Sequence, residues 1–108
     1  KEMCENSDVS SKINFQDLLF LDGAKELAMS GVMPGGTKRN LKSVEKVVSF
    51  NDHLSEIEQL LSADAQTSGG LLVSMPLEDA RSYVKKVNGQ TAIIGQITEK
   101  KPYLIKVY

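Results

Sequence analysis

The segment from Asp64 to Met75 constrains the fold of this chain most strongly, because it joins a polar turn to an apolar run. The turn contains two hydroxyl side chains and two glycines, and residues 71–75 include a single polar residue. Amphipathic helical patterns lie on both sides of this segment. We therefore predict a buried β-strand over 70–75 that is entered from a glycine turn.

The turn contains Thr67, Ser68, Gly69 and Gly70, and its residues admit two roles. Hydroxyls and the unshielded backbone N–H groups of glycine can replace the water around a phosphate, which would make the turn an anion site. Glycine can equally supply only the backbone angles that the strand entry needs, and this is its commoner use. The residues alone leave both interpretations open.

A second glycine segment, Pro34-Gly35-Gly36, is followed at once by Thr37, Lys38, Arg39 and Asn40. Proline and two glycines do not continue a helix, so we predict a loop here. The cations and the hydroxyl suit a phosphate, which arginine can bind through two hydrogen bonds. A solvated loop explains the same residues equally well, because exposed Lys and Arg side chains are common.

The rest of the chain alternates strand-like runs with helical spacing, which predicts one sheet covered by helices. The fold class is therefore predicted as α/β (α+β) with a mixed sheet. The last two strands are expected to form an antiparallel hairpin. The predicted strands are 10–14, 47–50, 70–75, 91–98 and 103–108, and the predicted helical segments are 1–6, 24–30, 41–47, 54–61 and 77–87.

Local signals predict where several helices begin and end. Asp22 is a candidate N-cap for the second helix, and Gly31 is expected just past its end. Asn51 or Asp52 is predicted to cap the helix that contains 54–61. The last helix is expected to end at Asn88-Gly89. Its face toward the core is predicted to consist of Leu77, Ala80, Val84 and Val87.

Composition narrows the classes of partner. The 108 residues suit one domain, and the net charge of −1 favours neither nucleic acid nor an anionic membrane. No apolar run approaches the roughly 18 residues of a membrane span. Cys4 is the one cysteine, so an internal disulfide is excluded, which fits a cytoplasmic protein. Its acidic neighbours disfavour a thiolate, and we interpret it as an ordinary helix residue.

The two glycine segments carry a resemblance to a known family. Residues 66–72 read Gln-Thr-Ser-Gly-Gly-Leu-Leu, which resembles the carboxy-terminal signature of the selenophosphate synthetases, also called selenide, water dikinases. That family has a Pro-Gly-Gly-Thr segment with a following Arg-Asn upstream, as residues 34–40 do here. Residues 22–28 also resemble the helix ahead of it. The family usually has proline where this chain has Ala65, which loosens the turn and leaves its polar groups in place.

The resemblance implies a fold and a place in a larger protein. Residues 1–108 would form a single carboxy-terminal domain of the aminoimidazole ribonucleotide synthetase-like type, partly ferredoxin-like and truncated at its first helix. The parent would be a homodimer that converts ATP, selenide and water to selenophosphate, AMP and phosphate. The family's catalytic Cys or selenocysteine, its partner Lys, the Mg²⁺-binding carboxylates and most of the ATP site lie in an amino-terminal domain, which this chain lacks.

We therefore expect this chain alone to be inactive and to hold neither a catalytic residue nor a metal. Its role would be to close the cleft over the amino-terminal domain. The alternatives are a domain of a related ATP-dependent enzyme, of the thiamine-phosphate kinase or hydrogenase-maturation type, and a non-enzymatic binding module. The residues that chemistry and motif together place on the substrate or phosphate side are Gly35, Gly36, Thr37, Arg39, Asn40, Thr67, Ser68, Gly69 and Gly70.

Overall fold

Residues 1–87 and 90–108, which the computed structural model describes, form four strands and five α-helices. A 3-10 turn, Phe15–Asp17, follows the first strand. The mixture of helices with a single sheet confirms the predicted α+β class. The elements, in chain order, are α1 (Glu2–Asn6), β1 (Ser10–Ile13), α2 (Ala24–Met29), α3 (Gly35–Val44), β2 (Val48–Phe50), α4 (Glu56–Ser62), α5 (Leu77–Val87), β3 (Gly95–Thr98) and β4 (Ile105–Val107).

The sheet is mixed, as predicted, and its strand order is β2-β4-β1-β3. The central strand β1 pairs antiparallel with β3 and parallel with β4, so that Ser11 lies opposite both Ile97 and Ile105. β2 pairs parallel with β4. The approach of β3 to β1 requires glycine at 95, because an added Cβ would lie 2.0 Å from the carbonyl oxygen of Lys12. The ferredoxin-like part of the fold stays a prediction.

The predicted hairpin between the last two strands is wrong, because β1 lies between β3 and β4. The connection from β3 to β4 is fastened to the start of β1 by Ser10, whose side chain is fully buried. The Ser10 hydroxyl donates to the carbonyl oxygen of Tyr103 at 2.7 Å and accepts from the N–H of Lys101 at 2.9 Å. These two bonds stabilise a crossing that adjacency in the sequence does not predict.

The core lies on one face of the sheet, where Phe15, Leu54 and Val107 are buried together. Leu60 on α4 is also buried, which confirms the prediction that the helical spacing around 54–61 faces the core. Lys25 of α2 places its ammonium 5.4 Å from the centroid of the Phe15 ring. The side chains packed against the core cluster are Ile13, Leu18, Phe20, Val48, Phe50, Leu61 and Ile105.

The ends of α2 match the sequence prediction in part. Gly31 lies just past the helix with φ +84°, and the N–H groups of Gly31 and Val32 donate to the carbonyl oxygens of Ala28 and Leu27. This confirms the predicted end. The predicted cap Asp22 is wrong, because Gly23 occupies the N-cap position in a left-handed conformation.

The predicted caps of α4, Asn51 and Asp52, are also wrong, because Ser55 is the N-cap. Its hydroxyl accepts from the N–H of Glu58 at 3.3 Å, and the Glu58 carboxylate accepts from the N–H of Ser55 at 2.8 Å. This reciprocal pair is a capping box, which the spacing Ser-x-x-Glu in the sequence specifies. Asn51 instead accepts from the N–H of His53, in the turn before the helix.

The predicted buried strand over 70–75 is wrong. Leu71 is 93% exposed and Leu72 is 60% exposed, and the segment has no regular secondary structure. Its apolar character predicts burial, but none of the four strands of the sheet comes from this segment, and the described residues leave it uncovered. The following strand is also shorter than the predicted 91–98, since it begins at Gly95.

Helix α5 begins directly after Pro76, as its sequence predicts, but its predicted contact with the core is wrong. Within the described residues, none of its side chains is buried, and Leu77 is 53% exposed. Its predicted end at Asn88-Gly89 lies outside the described residues. Across 1–87 and 90–108, each helix lacks the length and the apolar character that a membrane crossing requires.

Replacing Ser55 by Ala removes the hydroxyl half of the capping box and keeps the backbone N–H that donates to Glu58. It is expected to lower the free energy of unfolding by about 1 kcal/mol at neutral pH. Hydrogen bonds from the backbone and hydroxyl of Ser55 hold the pKa of Glu58 below its ordinary value of 4.5. A lowered pKa stabilises the folded chain above the unfolded-state pKa, and this contribution is lost as the pH falls through the folded-state pKa. The difference between the two proteins should therefore shrink in acid.

Urea unfolding of both proteins at neutral and acidic pH measures this difference. Ser43→Ala is the matched control, because the exposed Ser43 hydroxyl donates only to a carbonyl of its own helix, that of Asn40. A Ser55→Ala effect that equals the control at neutral pH, or that grows in acid, would contradict the assigned cap.

Candidate functional site

The first glycine segment begins a helix, so the predicted loop at 34–36 is wrong at Gly35 and Gly36, whereas Pro34 lies outside the helix. Pro34 is the N-cap of α3 and Gly35 is its first residue. At an N-cap the residue's own N–H is not used by the helix, so the N–H that Pro34 lacks costs the helix no hydrogen bond. Thr37 therefore lies in the first turn of a helix, where its N–H donates to the carbonyl oxygen of Pro34 at 3.1 Å.

The start of α3 combines backbone donors with two cations, and the Asp64 carboxylate lies beside them, 3.1 Å from the Thr37 hydroxyl oxygen. Among the described residues, no side chain caps this helix end, and its first turn contains no acidic residue. The unpaired N–H groups of a first turn act as a partial positive charge. Lys38 and Arg39 are exposed beside them. Backbone donors and two cations together favour an anion at this end of α3.

The hydroxyl of Thr37 joins this helix start to the second glycine segment. Thr37 is 1% exposed, and its hydroxyl donates to the Asp64 carboxylate at 3.1 Å. The same hydroxyl accepts from the N–H of Ala65 at 3.4 Å. Both capacities of the buried hydroxyl are thus used inside the protein, which makes Thr37 a link between the two segments.

Two further contacts fix the same junction. The Asn40 amide donates to the carbonyl oxygen of Ala63 at 3.2 Å, one helical turn beyond Thr37. A Cβ added at Gly36 would lie 2.9 Å from the Cβ of Ala65, so a larger residue at 36 would push the segments apart. α3 and the end of α4 therefore meet closely through small or hydrogen-bonded side chains.

The exposed turn 67–70 continues directly from this junction. Thr67, Ser68, Gly69 and Gly70 are all exposed. The Gln66 amide donates to the second oxygen of the Asp64 carboxylate at 3.3 Å. A Cβ at Gly69 would lie 3.0 Å from the side-chain oxygen of Gln66, so this side chain lies against the turn. The turn is thereby connected to Asp64 through Gln66.

The structure thus separates the predicted site residues into two groups. Thr37, Asn40 and Gly36 contact the 63–65 segment, whereas Arg39 and the turn 67–70 are exposed. An apolar groove of about 430 Å³ opens beside the junction, between α2 and the end of α4, and Pro34 and Asp64 form part of its wall. Pro34 and Asp64 thus belong both to this groove and to the region where the two glycine segments meet.

Asp64 and Gln66 take part in this junction, although the sequence prediction assigned them no role in the site. Asp64 was recognisable as the carboxylate next to the glycine turn, but its hydrogen bond with Thr37 spans 27 residues and leaves no local signal. In the described part of the chain, no three His, Cys, Asp or Glu side chains come close enough to hold a metal ion. Cys4 is buried in α1.

Most of the chain is similar in sequence to part of the selenide, water dikinases. It is 39% identical over 98 residues to a selenide, water dikinase of Aliarcobacter butzleri, a match that covers 87% of this chain and 28% of that protein. It is 36% identical over 104 residues to a selenide, water dikinase of Myxococcus xanthus, covering 94% and 30% of the two chains. The corresponding protein of Campylobacter jejuni is 38% identical over 104 residues, with coverage of 94% and 29%.

No family model matches the chain. The chain spans about three tenths of the length of the curated relatives that it matches. It is homologous to that region of the selenide, water dikinases, which confirms the resemblance found in the two glycine segments.

Removing the Thr37 hydroxyl with Thr37→Val is expected to lower the free energy of unfolding by about 1–3 kcal/mol, because the Asp64 carboxylate loses a buried donor. Combined with Asp64→Ala, the effects should be non-additive, with a coupling of about 0.5–3 kcal/mol. A double-mutant cycle in urea measures this coupling. Thr98→Val replaces Thr37→Val in the control cycle, since its hydroxyl donates to the adjacent Glu99 carbonyl. Additive effects in both cycles would exclude the Thr37–Asp64 interaction.

Proposed function

We propose that this chain, as a homologue of one region of the selenide, water dikinases, is the carboxy-terminal domain of a selenophosphate synthetase. The whole protein would convert ATP, selenide and water to selenophosphate, AMP and phosphate. The observation that carries the proposal is the junction of the two glycine segments: Thr37 in the first turn of α3 is hydrogen-bonded to Asp64, which lies three residues before the exposed turn 67–70 in the chain. Lys38 and Arg39 of the same helix are also exposed. Such a surface suits the phosphate side of this reaction.

The proposed division of labour follows from exposure. Arg39, the turn 67–70 and the backbone N–H groups of Gly35 and Gly36 would face phosphate. Thr37 and Asn40 would contribute by holding the two segments together, because their polar groups bond to the 63–65 segment. Oriented backbone donors and a cation stabilise phosphate charge without providing a nucleophile. We therefore assign this domain to substrate binding and closure.

The catalytic groups would lie in the remaining part of the protein, within an amino-terminal domain. We assign the Mg²⁺ ligands and most of the ATP contacts to that domain as well; among the described residues of this chain, no three His, Cys, Asp or Glu side chains come close enough to hold a metal ion. ATP and Mg²⁺ would supply the phosphoryl groups and their charge neutralisation in the whole protein. This chain alone would therefore be inactive.

Exposed apolar residues support a covering partner domain. Leu71, Leu72 and Val73 are 93%, 60% and 56% exposed, and Leu77 at the start of α5 is 53% exposed. Exposed apolar residues that follow one another in the chain suit an interaction site. We propose that the amino-terminal domain covers it in the whole protein, which would be a cytoplasmic homodimer.

Replacing Thr67 and Ser68 together by Ala in the full-length protein is expected to lower kcat/KM for selenophosphate formation about 10- to 100-fold, because hydrogen bonds to charged groups are worth about 1.5–3 kcal/mol. Steady-state rates and nucleotide affinity measure the effect. Thr98→Ala, which also removes an exposed threonine hydroxyl, is the control and should leave both unchanged. Wild-type rates and wild-type nucleotide affinity in the double variant would remove these hydroxyls from the site.

A further inference from the structure

We propose that Asp64 is a positioning residue, whose carboxylate holds the Gln66 side chain and thereby fixes the turn 67–70 against the start of α3. This inference rests on the proposed function, because the turn has to face substrate for its position to matter. It assigns to Asp64 and Gln66 a role that the two glycine motifs alone do not.

The geometry gives each carboxylate oxygen a different task. One oxygen accepts from the Thr37 hydroxyl at 3.1 Å, and the other accepts from the Gln66 amide at 3.3 Å. Thr37 belongs to the first turn of α3 and is 1% exposed, so it is a fixed point. The carboxylate therefore fixes Gln66, the residue that leads into the exposed turn, relative to α3.

The backbone around Asp64 is held independently of its side chain. The N–H of Ala65 donates to the Thr37 hydroxyl at 3.4 Å, and the Asn40 amide donates to the Ala63 carbonyl oxygen at 3.2 Å. Loss of the Asp64 carboxylate would therefore leave the 63–65 segment anchored by Asn40. The Gln66 amide, in contrast, would lose its hydrogen-bond acceptor.

Gln66 carries this constraint to the glycines. Its side-chain oxygen lies 3.0 Å from the place that a Cβ at Gly69 would occupy, so the side chain packs under the turn. With the amide group held by Asp64, the oxygen of Gln66 is aimed at Gly69. The exposed turn thus packs on the Gln66 side chain, and Asp64 determines the orientation of that side chain.

The role is one of positioning, because both carboxylate oxygens accept from protein donors. A carboxylate oriented toward the substrate would repel its phosphate groups, whereas one that accepts from Thr37 and Gln66 has its charge partly offset.

The chemistry of the Asp64–Gln66 pair also allows the amide and the carboxylate to be exchanged. An amide at position 64 with a carboxylate at position 66 reverses donor and acceptor and keeps one amide–carboxylate contact.

Three variants of the full-length protein test the role: Gln66→Glu, Asp64→Asn and their combination. Gln66→Glu sets two carboxylates against each other, so kcat/KM for selenide-dependent AMP formation is expected to fall at least about tenfold. Adding Asp64→Asn should restore most of that loss, because the amide introduced at position 64 can then donate to the carboxylate introduced at position 66. The thermal midpoints of the three variants should stay close together, since Asn40 still anchors the 63–65 segment.

The outcome that overturns the proposal is an unchanged rate in Gln66→Glu, or a loss that Asp64→Asn does not restore. Order parameters of Gly69 and Gly70 in ¹⁵N-glycine-labelled full-length protein provide a second readout that needs no activity. They should fall in Gln66→Glu and recover in the combined variant. If wild-type protein makes no selenophosphate, the proposed function fails, and these order parameters still decide whether Asp64 fixes the turn.

Discussion

The hydrogen bond from the Thr37 hydroxyl to Asp64 joins two segments that lie 27 residues apart in the chain. The candidate site depends on that contact, because it connects the start of α3 to the segment that leads into the exposed turn 67–70. The Thr37 hydroxyl is 1% exposed, so removing it would take a buried donor from the Asp64 carboxylate, which would keep its bond from Gln66. Asn40 and Gly36 add a polar contact and a close approach at the same junction.

The sheet stabilises this junction indirectly, and β1 is its key strand. This strand lies between β3 and β4 and thereby binds the beginning of the chain to its end. Ser10 fixes the crossing between those strands with a fully buried hydroxyl. The core that forms on the sheet includes Leu54 and Leu61, which hold α4, and the end of α4 leads directly into the 63–65 segment. The site is thus built at the end of a packed helix.

Features with a local cause were predictable from sequence. Gly31 ends α2 because its own backbone freedom suits a left-handed position, and the strand at 48–50 follows from Val48 and Phe50. The strand at 10–13 has a weaker local signal, because Ile13 is its one apolar residue. Non-local features were not predictable. The pairing of β4 with β1 rather than β3 is accompanied by long-range bonds of Ser10 to residues 101 and 103, and the Thr37–Asp64 bond forms where α3 meets the end of α4. Apolar character predicted burial of Leu71, but it cannot say which surface provides the cover.

The central claim is that this chain is a substrate-side domain whose catalytic groups lie elsewhere in the same protein. Selenide-dependent conversion of ATP to AMP, measured on this chain and on the full-length product of its gene, tests it most directly. The account predicts activity in the full-length protein and none in the chain alone. Activity in the chain alone would contradict the proposed location of the catalytic groups, and inactivity of both with selenide and Mg²⁺ present would contradict the proposed function.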